Sequence, residues 1–129
     1  MLRCLIVDDS RHFVDAARGL LEREGVTVVG VATNGAEALD RTKELRPDVT
    51  LVDIDLGRES GFDLARRLHR DGGTTSRVIL VSTHSEEDYA DLIAASPAVG
   101  FLAKAELSAG AIRELLDAGD GGTGRVGGA

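Results

Sequence analysis

The chain has 129 residues, 43% hydrophobic and 29% charged, a balance that suits one globular domain with one core. Its formal net charge of -7 argues against direct nucleic-acid binding, which needs a basic face to neutralise phosphates. No apolar run approaches the roughly 18 residues of a membrane helix, the lone Cys4 permits no internal disulfide, and the opening Met1–Asp8 does not read as a secretory signal, so a cytoplasmic location is expected.

Cys4–Val7 reads as a buried strand, with Cys4 as a small core residue. Phe13, Ala16, Ala17, Leu20 and Leu21 then recur at the spacing of one helix face, and Gly25 closes that helix. Val26–Ala32 is β-branched and reads as the second strand. Asn34 is placed to cap a second helix, with Glu37 three residues on as in a capping box. Ala38, Leu39, Thr42 and Leu45 give it an inner face, and Pro47 stops it.

Val49–Ile54 is the third strand, apolar until Asp53, and a loop from Asp55 to Gly61 follows. Phe62, Ala65 and Leu68 mark a third helix that Gly72-Gly73 closes, and Val78–Val81 is the fourth strand. Ser85-Glu86-Glu87-Asp88 predicts a helix start, a capping hydroxyl followed by acids at the positive end of the dipole; Tyr89, Leu92 and Ile93 supply its apolar stripe. Val99–Ala103 is a fifth strand, and Ser108 caps a last helix carrying Ile112, Leu115 and Leu116. From Gly119 to Ala129 the chain is mostly glycine without apolar periodicity, which predicts a flexible tail after a domain spanning 1–118.

Continuous apolar strands alternating with helices imply a parallel sheet covered on both faces, a doubly wound α/β fold of flavodoxin type or a small Rossmann variant. Such sheets bind ligands outside the carboxyl ends of their strands. There the sequence places Asp8-Asp9 after the first strand, Asp53 and Asp55 at the third, Ser82-Thr83 at the fourth and Lys104 after the fifth. Clustered carboxylates repel unless a cation lies between them, and hard oxygen donors suit Mg²⁺. A carboxylate beside that metal can attack a phosphoryl group, with the metal and an ammonium neutralising the transferring oxygens.

In this order and spacing the residues resemble the receiver domain of two-component response regulators, over about residues 2 to 118. The resemblance implies a five-stranded parallel sheet in the order 2-1-3-4-5 with five helices. It implies that Asp8 and Asp9 hold Mg²⁺ together with Asp53 and the main-chain carbonyl of Asp55. It further implies that Asp53 is the phosphoacceptor, Lys104 the phosphate-binding lysine, Ser82 the switch hydroxyl and Phe101 the switch aromatic. Side chains at the places of Asp55 and His84 tend to set phosphoryl lifetime in that family. The implied partners are a sensor histidine kinase or phosphotransfer protein, and a downstream protein or second copy meeting the fourth helix, fifth strand and fifth helix. Neither nucleic acid nor membrane is an expected partner.

The sequence departs from the family pattern in three places. Leu56-Gly57 stands where Met-Pro is usual, Thr83 where a smaller residue is usual, and Ala105 where many members have a proline in a cis bond, which predicts a trans peptide there. Two other readings compete. Asp53-Ile54-Asp55 mimics the nucleophile motif of haloacid-dehalogenase-type phosphatases, but the acidic pair then lies upstream and no cap domain fits. A flavin module of the same topology would want a glycine- and hydroxyl-rich phosphate loop where Asp8-Asp9 stands.

Overall fold

A computed structural model describes the backbone of residues 1–71 and 77–128 and the side chains of residues 1–70 and 77–118. The elements run β1 (Arg3–Val7), α1 (Arg11–Arg23), β2 (Thr27–Ala32), α2 (Gly35–Leu45), β3 (Val49–Asp53), β4 (Asp55–Leu56), β5 (Glu59–Ser60), α3 (Gly61–Asp71), β6 (Arg77–Ser82), α4 (Ala90–Ala95), β7 (Gly100–Ala103) and α5 (Ala109–Gly128). Turns of 3-10 helix at Glu86–Tyr89 and Lys104–Glu106 precede α4 and α5. The backbone of α5 continues past residue 118, where the sequence predicts the domain to end. Gly72-Gly73, expected to close the third helix, lies outside the described residues.

The main sheet is parallel in the order β2-β1-β3-β6-β7, which is 2-1-3-4-5 when its own strands alone are counted. Of the two topologies the alternation allowed, this is the flavodoxin-like one. Two apolar layers cover the sheet. Cys4, Ile6, Leu51, Ile79 and Val81 face α1 and α5, while Leu5, Val7, Val52 and Leu80 face α2 and α3. Strand residues alternate between these clusters, as a pleat with period two demands. Cys4 is core, and burial pushes its thiol up to about 12, so it stays protonated and inert.

The caps behave largely as the sequence suggests. Asn34 accepts from the Glu37 amide at 2.9 Å, and Glu37 reaches back to the amide and hydroxyl of Thr33 at 2.8 and 2.9 Å, one residue earlier than a capping box has it. Those hydrogen bonds lower the Glu37 pKa. Ser108 accepts from Ala111 at 2.9 Å and opens α5. Arg46, in the left-handed region at φ 47°, ends α2 before Pro47.

Two apolar faces differ from expectation. In α1 the buried residues are Val14, Ala17 and Leu21, and Ala16 is exposed. Phe13, half-buried, packs against this core at its edge, where its ring also meets Lys104. The helix expected from Ser85 begins instead as the 3-10 turn, and Ser85 makes no side-chain cap. Leu92 is 52% exposed, leaving Tyr89 and Ile93 as the residues packed inward.

Candidate functional site

The strand register brings the predicted residues to one rim. Val7 pairs with Val52, Asp53 with Val81, and Ser82 with Ala103. Asp8 therefore leaves β1 beside Asp53 at the end of β3; Ser82 ends β6 next door, and Lys104 follows β7. Asp8, Asp9 and Asp53 each offer an oxygen within 4.8 Å of the others. Asp8 is 0% exposed and Asp53 6%, whereas Asp9 faces solvent.

Each carboxylate is held by its own turn. The Ser10 amide donates to Asp8 Oδ1 at 2.8 Å, while the Ser10 hydroxyl caps α1 by accepting from Phe13 N at 3.3 Å. The Asp55 amide donates to Asp53 Oδ1 at 3.3 Å. Lys104 Nζ lies 2.7 Å from Asp8 Oδ2 and 3.5 Å from Asp53 Oδ2, so it pairs with both and is closer to Asp8. That Asp8 oxygen is buried, and the Lys104 ammonium is the charge that compensates it. Lys104 Nζ also stands over the face of the Phe13 ring, 4.4 Å from its centroid.

Burial and the neighbouring Asp8 charge raise Asp53 from 3.8 to about 6, against the opposing pull of Lys104 and the Asp55 amide. One ammonium thus pairs with two carboxylates withdrawn from water, and a third, Asp9, stands beside them. Three carboxylates gathered on one rim, two of them buried, form a set of hard oxygen donors that fits a divalent cation.

The loop after Asp53 has a built geometry. Asp55–Leu56 pairs with Glu59–Ser60 as a tight hairpin. Gly57 takes its first turn position at φ 60°, a value that favours glycine and explains Leu56-Gly57 in this chain. Glu59 then reaches across to accept from the Gly35 amide at the start of α2, at 3.0 Å. The next glycine matters through space. A Cβ on Gly61 would fall 2.7 Å from Ile54 Cα and nearer still to the Asp53 carbonyl, and Gly61 N donates to Ile54 O at 2.7 Å. The start of α3 is thereby pressed on the backbone that carries Asp53.

Ser82 is 1% exposed, and its Oγ accepts from the His84 amide at 3.0 Å with His84 Nδ1 at 3.5 Å. The His84 ring meets Tyr89 edge-on, and Tyr89 meets Phe62, linking the rim to α3. Thr83 and Asp55 are exposed at the mouth, and Phe101 is buried in the layer facing α2 and α3. No cis peptide occurs among the described residues. Sequence reasoning placed Phe13 on the inner helix face, where it packs, but missed its contact with Lys104 and passed over Ser10, Glu59 and Gly61. Only Gly61 carried a signal, as a glycine just before an apolar helix face.

The profile of the response regulator receiver domain matches residues 4–117. The chain is 36% identical over 119 residues to the uncharacterized transcriptional regulatory protein YvfU of Bacillus subtilis, covering 92% of this chain and 57% of that protein. It is 31% identical over 105 residues to the response regulator GacA of Pseudomonas viridiflava, covering 81% of this chain and 49% of that one. Among solved structures, the signal receiver domain of the regulator NarL from Mycobacterium tuberculosis superposes with a TM-score of 0.78 at 31% identity, covering 93% of this chain and 97% of the other. The chain spans about half the length of the two curated relatives.

Proposed function

The chain belongs to the response regulator receiver domain family, a family of phosphorylation-dependent signalling switches rather than turnover enzymes, and on that footing we propose Asp53 as its phosphoacceptor. The observation that carries this is the rim itself, where a buried carboxylate raised to about 6 sits among two further acids and one lysine. A Mg²⁺ held by Asp8, Asp9, Asp53 and the Asp55 carbonyl would supply the positive charge that the transferring phosphoryl oxygens need. Asp53 attacks phosphorus through a carboxylate oxygen; the bond from phosphorus to the donor nitrogen breaks, and that nitrogen leaves with the electron pair. Lys104 then follows the new anionic group.

The donor in this reading is a sensor histidine kinase or phosphotransfer protein. Ser82 donates its hydroxyl hydrogen to a phosphoryl oxygen, and His84, hydrogen-bonded to Ser82 and edge-on to Tyr89, tunes phosphoryl lifetime together with Asp55 at the mouth. Phe101 already lies inward in this structure, so its switching role is a shift in the population of that orientation. The output surface is α4, β7 and α5, offered to a downstream protein or a second copy. Residues 1–118 form the receiver unit, with 119–129 outside it, in keeping with a family match that ends at 117. No helix among the described residues is long and apolar enough to cross a membrane.

The test is incubation with Mg²⁺ and acetyl phosphate, read by intact mass. Wild type should gain one phosphoryl group and Asp53→Asn none. Uptake by Asp53→Asn at the wild-type rate would move the acceptor to Asp8 or Asp55 and overturn the assignment.

A further inference from the structure

The charge of this acidic chain is unevenly spread. A groove of about 490 Å³ beside α3 is lined by Arg58, Arg66, Arg67 and Arg70 together with Glu59 and Asp63. On α3 the residues Asp63, Arg66, Arg67 and Arg70 follow at the i, i+3, i+4, i+7 spacing of one helix face, and all are exposed. Both carboxylates are already engaged, Glu59 by the Gly35 amide and Asp63 by an ion pair with Arg66. With four arginines against two carboxylates, the groove has a formal positive excess in a protein of net charge -7.

The opposite charge gathers at Glu86, Glu87, Asp88 and Asp91, from the 3-10 turn into α4. All four are exposed, and none forms an ion pair among the described residues. The sequence offers no local relief, since no lysine or arginine occurs between Arg77 and Lys104. Leu92, half-exposed, stands beside them.

Within one molecule the two patches cannot meet, because α3 stands between them. On one flank Phe62 touches Tyr89 of the acidic segment, with centroids 5.9 Å apart. On the other flank Arg67 comes up to Gly35 of α2. We propose that the arginine groove of one copy receives the acidic segment Glu86–Asp91 of a second copy. The contact is head-to-tail, since it joins two different patches, and each pair keeps one free groove and one free acidic segment. It is distinct from a symmetric dimer through α4, β7 and α5, in which the groove takes no part.

The experiment uses the full chain and sedimentation velocity. Wild type should associate at low salt, with average mass rising beyond a dimer as concentration increases. Association should weaken at least about tenfold once the salt shortens the Debye length below roughly 8 Å. Arg66→Glu/Arg67→Glu and Glu87→Arg/Asp91→Arg should each be monomeric where wild type associates, with circular dichroism melts checking that both are folded. An equimolar mixture of the two variants retains one intact groove and one intact acidic segment, and sets the reversed groove against the reversed segment, so it should associate again where neither variant does alone. A monomeric wild type at low salt, or a mixture that stays monomeric, would overturn the proposal. A dimer that survives the arginine reversal would assign association to the α4, β7 and α5 face and overturn it equally. So would binding of a short single-stranded DNA by wild type and not by the arginine variant without self-association, which would give the groove to phosphates.

Discussion

Replacing Asp53 by asparagine should make the metal-free protein more stable. Ionised Asp53 lies within 4.8 Å of two other carboxylates and is 6% exposed, while its cation, Lys104, is nearer Asp8. Its carboxyl is raised from 3.8 to about 6, so the folded state holds this proton more tightly than the unfolded chain does. Stability consequently falls as pH rises from about 4, where the unfolded chain ionises, to about 6, where the folded protein does, and is level above that. A shift of about 2 units corresponds to about 3 kcal/mol. That shift is already net of the Lys104 and Asp55 interactions, and the amide oxygen can still accept from Asp55, so about 3 kcal/mol is an upper bound. Asp53→Asn should thus gain about 1–3 kcal/mol near pH 7.5, and the gain should shrink towards zero near pH 4. Urea unfolding with chelator, at both pH values, measures it. Mg²⁺ should then stabilise wild type much more than the variant. A variant less stable than wild type without metal near neutral pH, or a gain unchanged near pH 4, would refute the reasoning.

Gly61→Ala should cost about 1–3 kcal/mol through overpacking against the Asp53 carbonyl, seen by thermal melting, and should slow phosphorylation by acetyl phosphate in the fraction that folds. Asp9→Ala should weaken Mg²⁺ binding about tenfold or more while barely changing the melt, because Asp9 is exposed; unchanged affinity in a calorimetric titration would remove Asp9 from the metal set. Lys104→Ala should keep the fold but uncouple phosphorylation from conformational change, so normal phosphorylation-dependent NMR shifts around Ser82 and Phe101 would contradict its assigned role.

Much of the rim was legible because it depends on little more than element order. Once a parallel sheet is inferred, every strand's last residue lies on one edge, so Asp8, Asp53, Ser82 and Lys104 converge whatever the loops do. Helix phase was less legible: apolar spacing around α1 allows a turn of the helix that exchanges Val14 for Ala16, and only packing against the sheet decides it. Which carboxylate Lys104 prefers depends on ångström differences between 2.7 and 3.5 Å, invisible to any spacing rule. The Phe13 contact joins α1 to the turn after β7, so nothing local announces it. Gly61 could be read as a helix start, yet its reason is the backbone of Asp53 pressed against it.

The bond from Glu59 to the Gly35 amide gives the loop after Asp53 a strut to a neighbouring helix. A loop braced in this way has surrendered its conformational freedom during folding, so a cation bound as proposed would not spend affinity on ordering it. The same strut limits which loops could replace this one. A segment of different length between Asp53 and Gly61 would withdraw the carboxylate from the first turn of α2 and free the hairpin together, so binding and helix stability would fall jointly. Loop and helix are therefore one mechanical part, and the Gly35 amide is the place where hydrogen exchange would register its loosening.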